Sequence, residues 1–361
     1  MLDVIDIRWK FEKATKGLVK SFLLKFYKRI VHYNAVIKSE IDSFCHLETF
    51  WIVPWKNFLK RNYSKIPKLS NDLFRNLDDN SIESMKNLIW LYDKVLLQKE
   101  YLKYVKYDKN ILWTKSDISN RTKLNLKIAK LKKQHKAYEA KLIPCDISMY
   151  VNGFGLNELP ESVLNEIKGM DVIDGGAWHG DSSIFFSQKL KGNVYAFEPN
   201  VENHEKLCHN INKCNLNDKI YAVNKAIYSK TGYKKFYVYG KYDLGSGLKG
   251  QYVAPERDWV NRSTYEVQTI PLDDYHKDNN LKIGLIKLDI EGAELNAIKA
   301  AQNVIIEYEP VIICAIYHSP FDFFYIKPYL ESLGVNYKFK ISRLSYDSPF
   351  ADIYLIAYVE K

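Results

Sequence analysis

Asp171-Val172-Ile173-Asp174-Gly175-Gly176-Ala177-Trp178-His179-Gly180-Asp181-Ser182-Ser183 is the stretch on which the reading of this chain turns. Asp171 to Asp174 is a short β-branched run, a strand ending in an acid. Gly175, Gly176 and Gly180 let the backbone turn tightly and come close to a ligand. Asp181 or Ser182 can cap the helix that follows. That helix turns Ile184, Phe185 and Leu190 inward and ends at Lys189, Lys191 and Gly192. Strand, glycine turn and helix make the first unit of an open α/β sheet, whose ligands bind beyond the carboxyl ends of the strands.

The same alternation continues downstream. Asn193-Val194-Tyr195-Ala196-Phe197-Glu198 reads as a second strand, followed by a helix through Leu207 and Ile211 and a third strand near Ile220 to Val223. Gly284-Leu285-Ile286-Lys287-Leu288-Asp289 is another strand, with Leu295, Ile298 and Ala301 on the helix behind it. Val311-Ile312-Ile313-Cys314-Ala315-Ile316 is almost wholly apolar. Such a pattern predicts a mostly parallel, Rossmann-like sheet with helices on both faces. Runs near Tyr337 to Ile341 and Ile353 to Val359 suit an antiparallel pair at its edge.

Upstream the composition differs. Residues 1–150 hold 30 Lys+Arg against 16 Asp+Glu, a balance of +14, while residues 151–361 hold 23 against 27, a balance of −4. The basic region reads as mainly helical. Val19, Phe22, Leu23, Phe26, Ile30 and Val31 recur at helical spacing between Gly17 and Ile37. Asn80-Ser81 can cap a second helix, and a third runs from about Asn120 to Leu142. The change of pattern near Pro144 and Asn152-Gly153-Phe154-Gly155 divides the chain into a helical region, 1–150, and an α/β domain, 151–361. A basic region of this kind can face an anionic membrane surface, serve acceptor binding, form a homo-oligomer interface, or be a solvated helical surface. Cys45, Cys145, Cys208, Cys214 and Cys314 are odd in number and mostly far apart. They read as reduced thiols of a cytoplasmic protein, able to sit peripherally at a membrane. No stretch is long and apolar enough to cross a bilayer, and the acidic start at Met1 to Asp6 is unlike a secretory signal.

The glycine turn is compatible with any nucleoside-bearing cofactor. Glu198, at the end of the second strand, suits a ribose diol, since a carboxylate accepts two hydroxyl hydrogen bonds. The phosphate fingerprint G-x-G-x-x-G is not met, because Ala177 occupies its second glycine position. Asp174 and Asp181 flank the turn, which disfavours a pyrophosphate and tolerates a sulfonium cation. That reading favours S-adenosylmethionine over a dinucleotide.

Five blocks in order resemble the FkbM family of methyltransferases. They are Asp174 to Ser183; Tyr195-Ala196-Phe197-Glu198-Pro199-Asn200; Asn224-Lys225-Ala226-Ile227 with Gly232; Leu272-Asp273-Asp274-Tyr275; and Ile286-Lys287-Leu288-Asp289-Ile290-Glu291-Gly292-Ala293-Glu294. The resemblance implies a class I methyltransferase fold that uses S-adenosyl-L-methionine, often on hydroxyls of sugars or natural products, as in glycan biosynthesis. It implies cofactor contacts from Asp174, Gly175, Gly176, Ala177, Gly180, Asp181, Ser182, Glu198, Pro199, Asn200, Ala226 and Asp289. Trp178 and His179 stand where the family usually has Asn and an aliphatic residue.

Asp289, Glu291 and Glu294 lie where a strand meets a helix. Asp289 is expected in the cleft as a ligand for the acceptor hydroxyl or a general base, with Glu291 beside it. Glu294 reads as a helix-cap carboxylate. His318, after the apolar strand, can line the same cleft and take the hydroxyl proton with an ordinary imidazole pKa near ~6.5. Gly245-Ser246-Gly247 suits an acceptor-binding or lid loop. These carboxylates and His318 are of a type that holds a divalent metal, although no metal is predicted. His204, Cys208, His209 and Cys214 lack a Cys-x-x-Cys pair and are not read as a zinc site. A small-molecule or glycan O-methyltransferase is the favoured reading. A nucleic-acid methyltransferase would draw on the basic region, but the Asp- or Asn-Pro-Pro-aromatic element usual for base-amino methylation is replaced by Asp289-Ile290-Glu291-Gly292. The third reading is a non-catalytic scaffold.

Overall fold

The computed structural model describes residues 52–93, 115–134, 147–239, 247–248, 262–345 and 350–360. The expected helix between Gly17 and Ile37, Cys45, Cys145 and the tip Gly245-Ser246 lie outside them.

The α/β part is the expected sheet. Its strands, with the short ones of a second sheet included in the numbering, are β1 (Asp171–Gly175), β2 (Val194–Phe197), β3 (Ile220–Val223), β4 (Ala226–Ile227), β5 (Gly232–Tyr239), β6 (Gly247–Leu248), β7 (Arg262–Ile270), β8 (Ile283–Leu288), β9 (Val311–Ala315), β10 (Lys338–Arg343) and β11 (Ile353–Tyr358). The main sheet has the order β10-β11-β9-β8-β1-β2-β3. β3, β2, β1, β8 and β9 are parallel, and β11 runs antiparallel to both β9 and β10. Ile173, Ile283, Leu285, Ile286, Ile312 and Ile313 in the central strands are fully buried, as a sheet covered on both faces requires.

A second sheet, ordered β4-β7-β5-β6, fills the segment between β3 and β8. Here the sequence reading had only a long connection, although Tyr233, Phe236, Tyr237, Val238 and Tyr239 carry the aromatic signature of a strand. β5 and β7 pair antiparallel from Gly232↔Thr269 to Tyr239↔Arg262. Phe236, Leu248 and Val267 close over Ala226 and Ala293 in one apolar cluster, which fixes this sheet beside the loop after β8.

Phe50 to Lys361 packs as one compact unit. Helices Ile52–Asn62, Ile66–Phe74 and Asp79–Tyr92 belong to the same body as the sheet. Trp55 is fully buried, stacks on Tyr92 at 3.9 Å, meets Phe323 edge-on at 5.2 Å, and donates from Nε1 to the Tyr317 carbonyl at 3.1 Å. Ser81 Oγ donates to the Ile341 carbonyl and accepts from its amide, tying the third helix to β10. The cap of that helix is Asp78, whose Oδ1 accepts from Ser81 N at 2.9 Å; Asn80 and Ser81 lie inside the helix. The Asn120 helix begins earlier, at Lys115, and is described to Gln134. Among the described residues no helix is long and apolar enough to cross a membrane.

Candidate active site

The turn after β1 is built around a buried ion pair. Lys287 Nζ on β8 lies 3.0 Å from Asp174 Oδ1 and donates to the carbonyls of Gly175 and Gly176 at 3.3 and 2.9 Å. Ser182 Oγ and Ser183 Oγ both donate to Asp174 Oδ2 at 2.6 Å. Asp174 is thus neutralised and enclosed within the turn. Burial would lower the Lys287 pKa, but Asp174 and then Asp289 outweigh it, so the lysine stays charged. Lys287 was quoted in the sequence as part of a strand, and its role was missed because a lone lysine in an apolar run gives no sign of its partner.

Gly176, at φ +75°, is required rather than tolerated: a Cβ there would lie 1.9 Å from the Asp289 carbonyl. Asp289 N donates in turn to the Gly175 carbonyl at 3.1 Å. The two expected site segments are therefore fastened together through their backbones. Ala177 is buried beneath the turn. The helix beyond it starts at Asp181 with Gly180, φ 90°, at the capping position and no side-chain cap. Asp181 and Ser182 are not its caps. Asp181 Oδ1 accepts from Ser182 N, and the Ser182 hydroxyl goes to Asp174.

Glu198 closes the other side. Its Oε2 accepts from Trp178 N and its Oε1 from Asn200 N, both at 2.9 Å. Burial pushes its carboxyl up to about 8, against the lowering pull of those two amides. Hydrogen-bonding capacity on its two oxygens beyond those amides remains for a ligand's hydroxyls. Asn200 caps the helix Val201–Lys213 through Asn203 N, and Asn224 Nδ2 donates to the Glu198 carbonyl, so Pro199 and Asn200 are held on the rim. Trp178, at φ 46°, stacks on the His179 ring at 3.8 Å. His179 Nε2 faces Asn203 Oδ1 at 3.1 Å, and its carbonyl accepts from Asn210. Trp178 Nε1 is buried without a hydrogen-bond partner among the described residues. An orphaned donor in the turn and spare acceptors on Glu198 fit a ligand carrying both hydroxyls and a carboxylate, as S-adenosylmethionine does. Ala226, expected at the cofactor, packs in the apolar cluster of the second sheet.

The second half of the site gathers at the carboxyl ends of β8 and β9. His318 is buried, with Nδ1 2.7 Å from Glu294 Oε1 and Nε2 3.5 Å from both Asp289 Oδ1 and Glu291 Oε2. Glu294 also accepts from the amides of Ile290 and Gly292, at 2.9 and 2.8 Å. It stands in the first turn of the helix Glu294–Lys299, but it ties down the loop before that helix rather than capping it, and it is the partner of the histidine. Tyr354 on β11 donates to Asp289 Oδ2 at 2.6 Å. Sequence reasoning missed Tyr354, which only strand pairing brings to β9. Burial by itself would lower the His318 pKa, but Glu291, Glu294 and Asp289 outweigh it and hold it at about 10. This departs from the ordinary imidazole pKa expected of the ring, and the proton is held there at neutral pH. Asp289 and Glu291, with side chains 25% and 21% exposed, are the groups that open to the cleft. Gly247 lies against Glu291, with room for no Cβ (2.9 Å to the Glu291 Cβ), so Gly247 borders this cluster. His204 and Cys208 share one helix face, with Sγ 3.8 Å from the ring, as their spacing predicts.

Residues 174–338 match the family defined as the methyltransferase FkbM domain. No curated protein matches the chain. Among solved structures, it is similar to the methyltransferase FkbM from Methylobacillus flagellatus KT, with 18% identity and a TM-score of 0.52 over 84% of this chain and 61% of that one. This chain thus spans less than two thirds of that relative. An O-methyltransferase from Bacillus cereus in complex with SAH aligns with 15% identity and a TM-score of 0.32, over 66% of this chain and 100% of that one. The family match thus lies over residues 174–338, the part that holds both halves of the site, and the similarity to the Methylobacillus flagellatus structure shows a shared fold.

Proposed function

We propose that the chain is an S-adenosylmethionine-dependent O-methyltransferase acting on a hydroxyl of a sugar, glycan or related natural product. The observation that carries this reading is the pair of partly open carboxylates, Asp289 and Glu291, beside the buried His318 and fastened to the cofactor turn. S-adenosylmethionine supplies an electrophilic methyl group on a sulfonium. Gly176 and Glu198 hold the donor at the strand ends, and Asp289 and Glu291 receive the acceptor hydroxyl. Oxygen bonds to the methyl carbon as the carbon–sulfur bond breaks, its electron pair leaving on sulfur. The hydroxyl proton passes to Asp289, which is within reach of solvent. His318, already protonated, offsets the charge of the carboxylates rather than acting as the base. Holding oxygen, carbon and sulfur in line supplies much of the rate, since effective molarities reach about 10⁵ M or more.

The test is release of S-adenosylhomocysteine with a panel of hydroxylated sugars. Asp289→Asn is expected to lower the rate by about 10²–10⁴-fold, the usual yield of a positioned acid or base. Unchanged turnover in that variant would overturn the assignment. The balance of +14 in residues 1–150 supports recruitment to an anionic membrane where such acceptors are assembled. Sedimentation with anionic vesicles at low salt tests it, and no binding there overturns the recruitment.

A further inference from the structure

We propose that Asp289, Glu291 and His318 form a binding site for one divalent cation of the magnesium or manganese class. The proposal deepens the methyl-transfer reading, on which it rests only for the cation's role, not for its binding. One ligand atom from each of the three residues lies within 4.8 Å of the other two. Nε2 stands 3.5 Å from each carboxylate oxygen. Metal–ligand bonds of about 2.0–2.2 Å hold adjacent ligand atoms roughly 3.0–3.5 Å apart, so small side-chain adjustments complete the site.

The ring is oriented for this use. Glu294 Oε1 holds Nδ1 at 2.7 Å, which aims Nε2 at the two other carboxylates. A carboxylate behind a ligating histidine is the usual way its ring orientation and tautomer are fixed. The framework is rigid on every side. Asp289 is held by Tyr354 and by the Gly175 carbonyl, Glu294 by two backbone amides, and Glu291 is braced by Gly247. Asp322, buried on the next helix, faces Leu295 N and Ser319 rather than the cluster. Binding releases the Nε2 proton, so that His318 ligates as a neutral imidazole, and the three carboxylates around it then leave an excess of negative charge that a divalent cation balances. Two oxygen donors with one imidazole suit a hard or borderline ion, and the partial exposure of Asp289 and Glu291 leaves positions open on the cleft side. A cation there would hold the acceptor oxygen and ease loss of its proton.

The experiment is titration of the full chain, stripped with chelator, with Mn²⁺, read by the loss of the free-ion electron paramagnetic resonance signal. Binding of S-adenosylhomocysteine is measured by calorimetry on the same samples. One Mn²⁺ per chain is expected, displaced by Mg²⁺. Its affinity should fall at least tenfold in Glu291→Gln, whose side chain is partly solvated and whose loss spares the fold. Glu294→Gln should weaken it by about 10–100-fold through the orientation of His318. Folding of both variants is checked by circular dichroism. A wild-type chain that binds S-adenosylhomocysteine but no Mn²⁺ at millimolar concentration overturns the cation site and leaves the methyl-transfer reading standing. Mn²⁺ binding that Glu291→Gln leaves unchanged also overturns the site. Mn²⁺ binding lost in Glu291→Gln, in a chain that binds no S-adenosylhomocysteine, upholds the site and removes the methyl-transfer reading.

Discussion

The turn after β1 and the cluster after β8 both gather acids at the carboxyl ends of neighbouring strands, yet they treat charge in opposite ways. Asp174 is enclosed by a lysine and two serine hydroxyls, and both oxygens of Glu198 accept backbone amides. Asp289, Glu291 and Glu294 instead surround a single imidazole, and two of them open to the cleft. A balanced set of buried charges shapes a loop, because removing either partner strands the other in a medium that solvates it poorly. An unbalanced, partly open set is poised to take up a cation, a proton or a hydroxyl. The difference separates the acid that builds the cofactor turn from the acids suited to chemistry.

The largest effect should come from breaking the balance of the turn. Lys287→Met leaves Asp174 buried without its cation and is expected to cost about 3–5 kcal/mol in denaturant unfolding. Adding Asp174→Asn should recover part of that loss, and a double variant as unstable as the single one would show that the lysine acts otherwise. Next is the join between the regions. Gly176→Ala forces a methyl to within 1.9 Å of the Asp289 carbonyl, so the turn and the strand end must separate. A loss of about 3 kcal/mol is expected, with weaker calorimetric binding of S-adenosylhomocysteine.

The pH dependence distinguishes the two regions. The folded chain binds the His318 proton more tightly than the unfolded chain does. That contribution to stability is full below about 6.5 and is lost as pH rises through about 10. Glu198, also raised, loses its contribution in a lower window, between 4.5 and about 8. Unfolding free energy should therefore decline across both windows. His318→Gln should flatten only the upper one, by about 2 kcal/mol once solvent screening of Asp289 and Glu291 is allowed for. A slope between pH 8 and 10 as steep in this variant as in the parent chain would contradict the charge assignment. The smallest effect belongs to Trp55→Phe, which removes the donor to the Tyr317 carbonyl beside His318. About 1 kcal/mol of stability should be lost, with S-adenosylhomocysteine affinity unchanged.

The order of strands and helices from Asp171 to Ile316 was legible because each strand is a short apolar run and each turn is marked by glycine or acid. The small sheet was not, since β4 and β6 span only two residues each and gain their stability from Phe236, Val267 and Ala293 across the chain. Asp289, Glu291 and His318 were identified as candidates by residue type and position. The protonation of His318 was not, because it depends on three carboxylates converging on one buried ring.

By itself, then, the sequence determined the alternating α/β architecture, the glycine turn and the acids at the strand ends, since these follow from local periodicity and backbone freedom. Only the tertiary structure decided which acid Lys287 neutralises, that Tyr354 reaches Asp289, and that Trp55 packs the preceding helices against the Tyr317 carbonyl. Charge pairing inside a protein depends on distance and burial, and both are set by strands and helices that lie far apart along the chain.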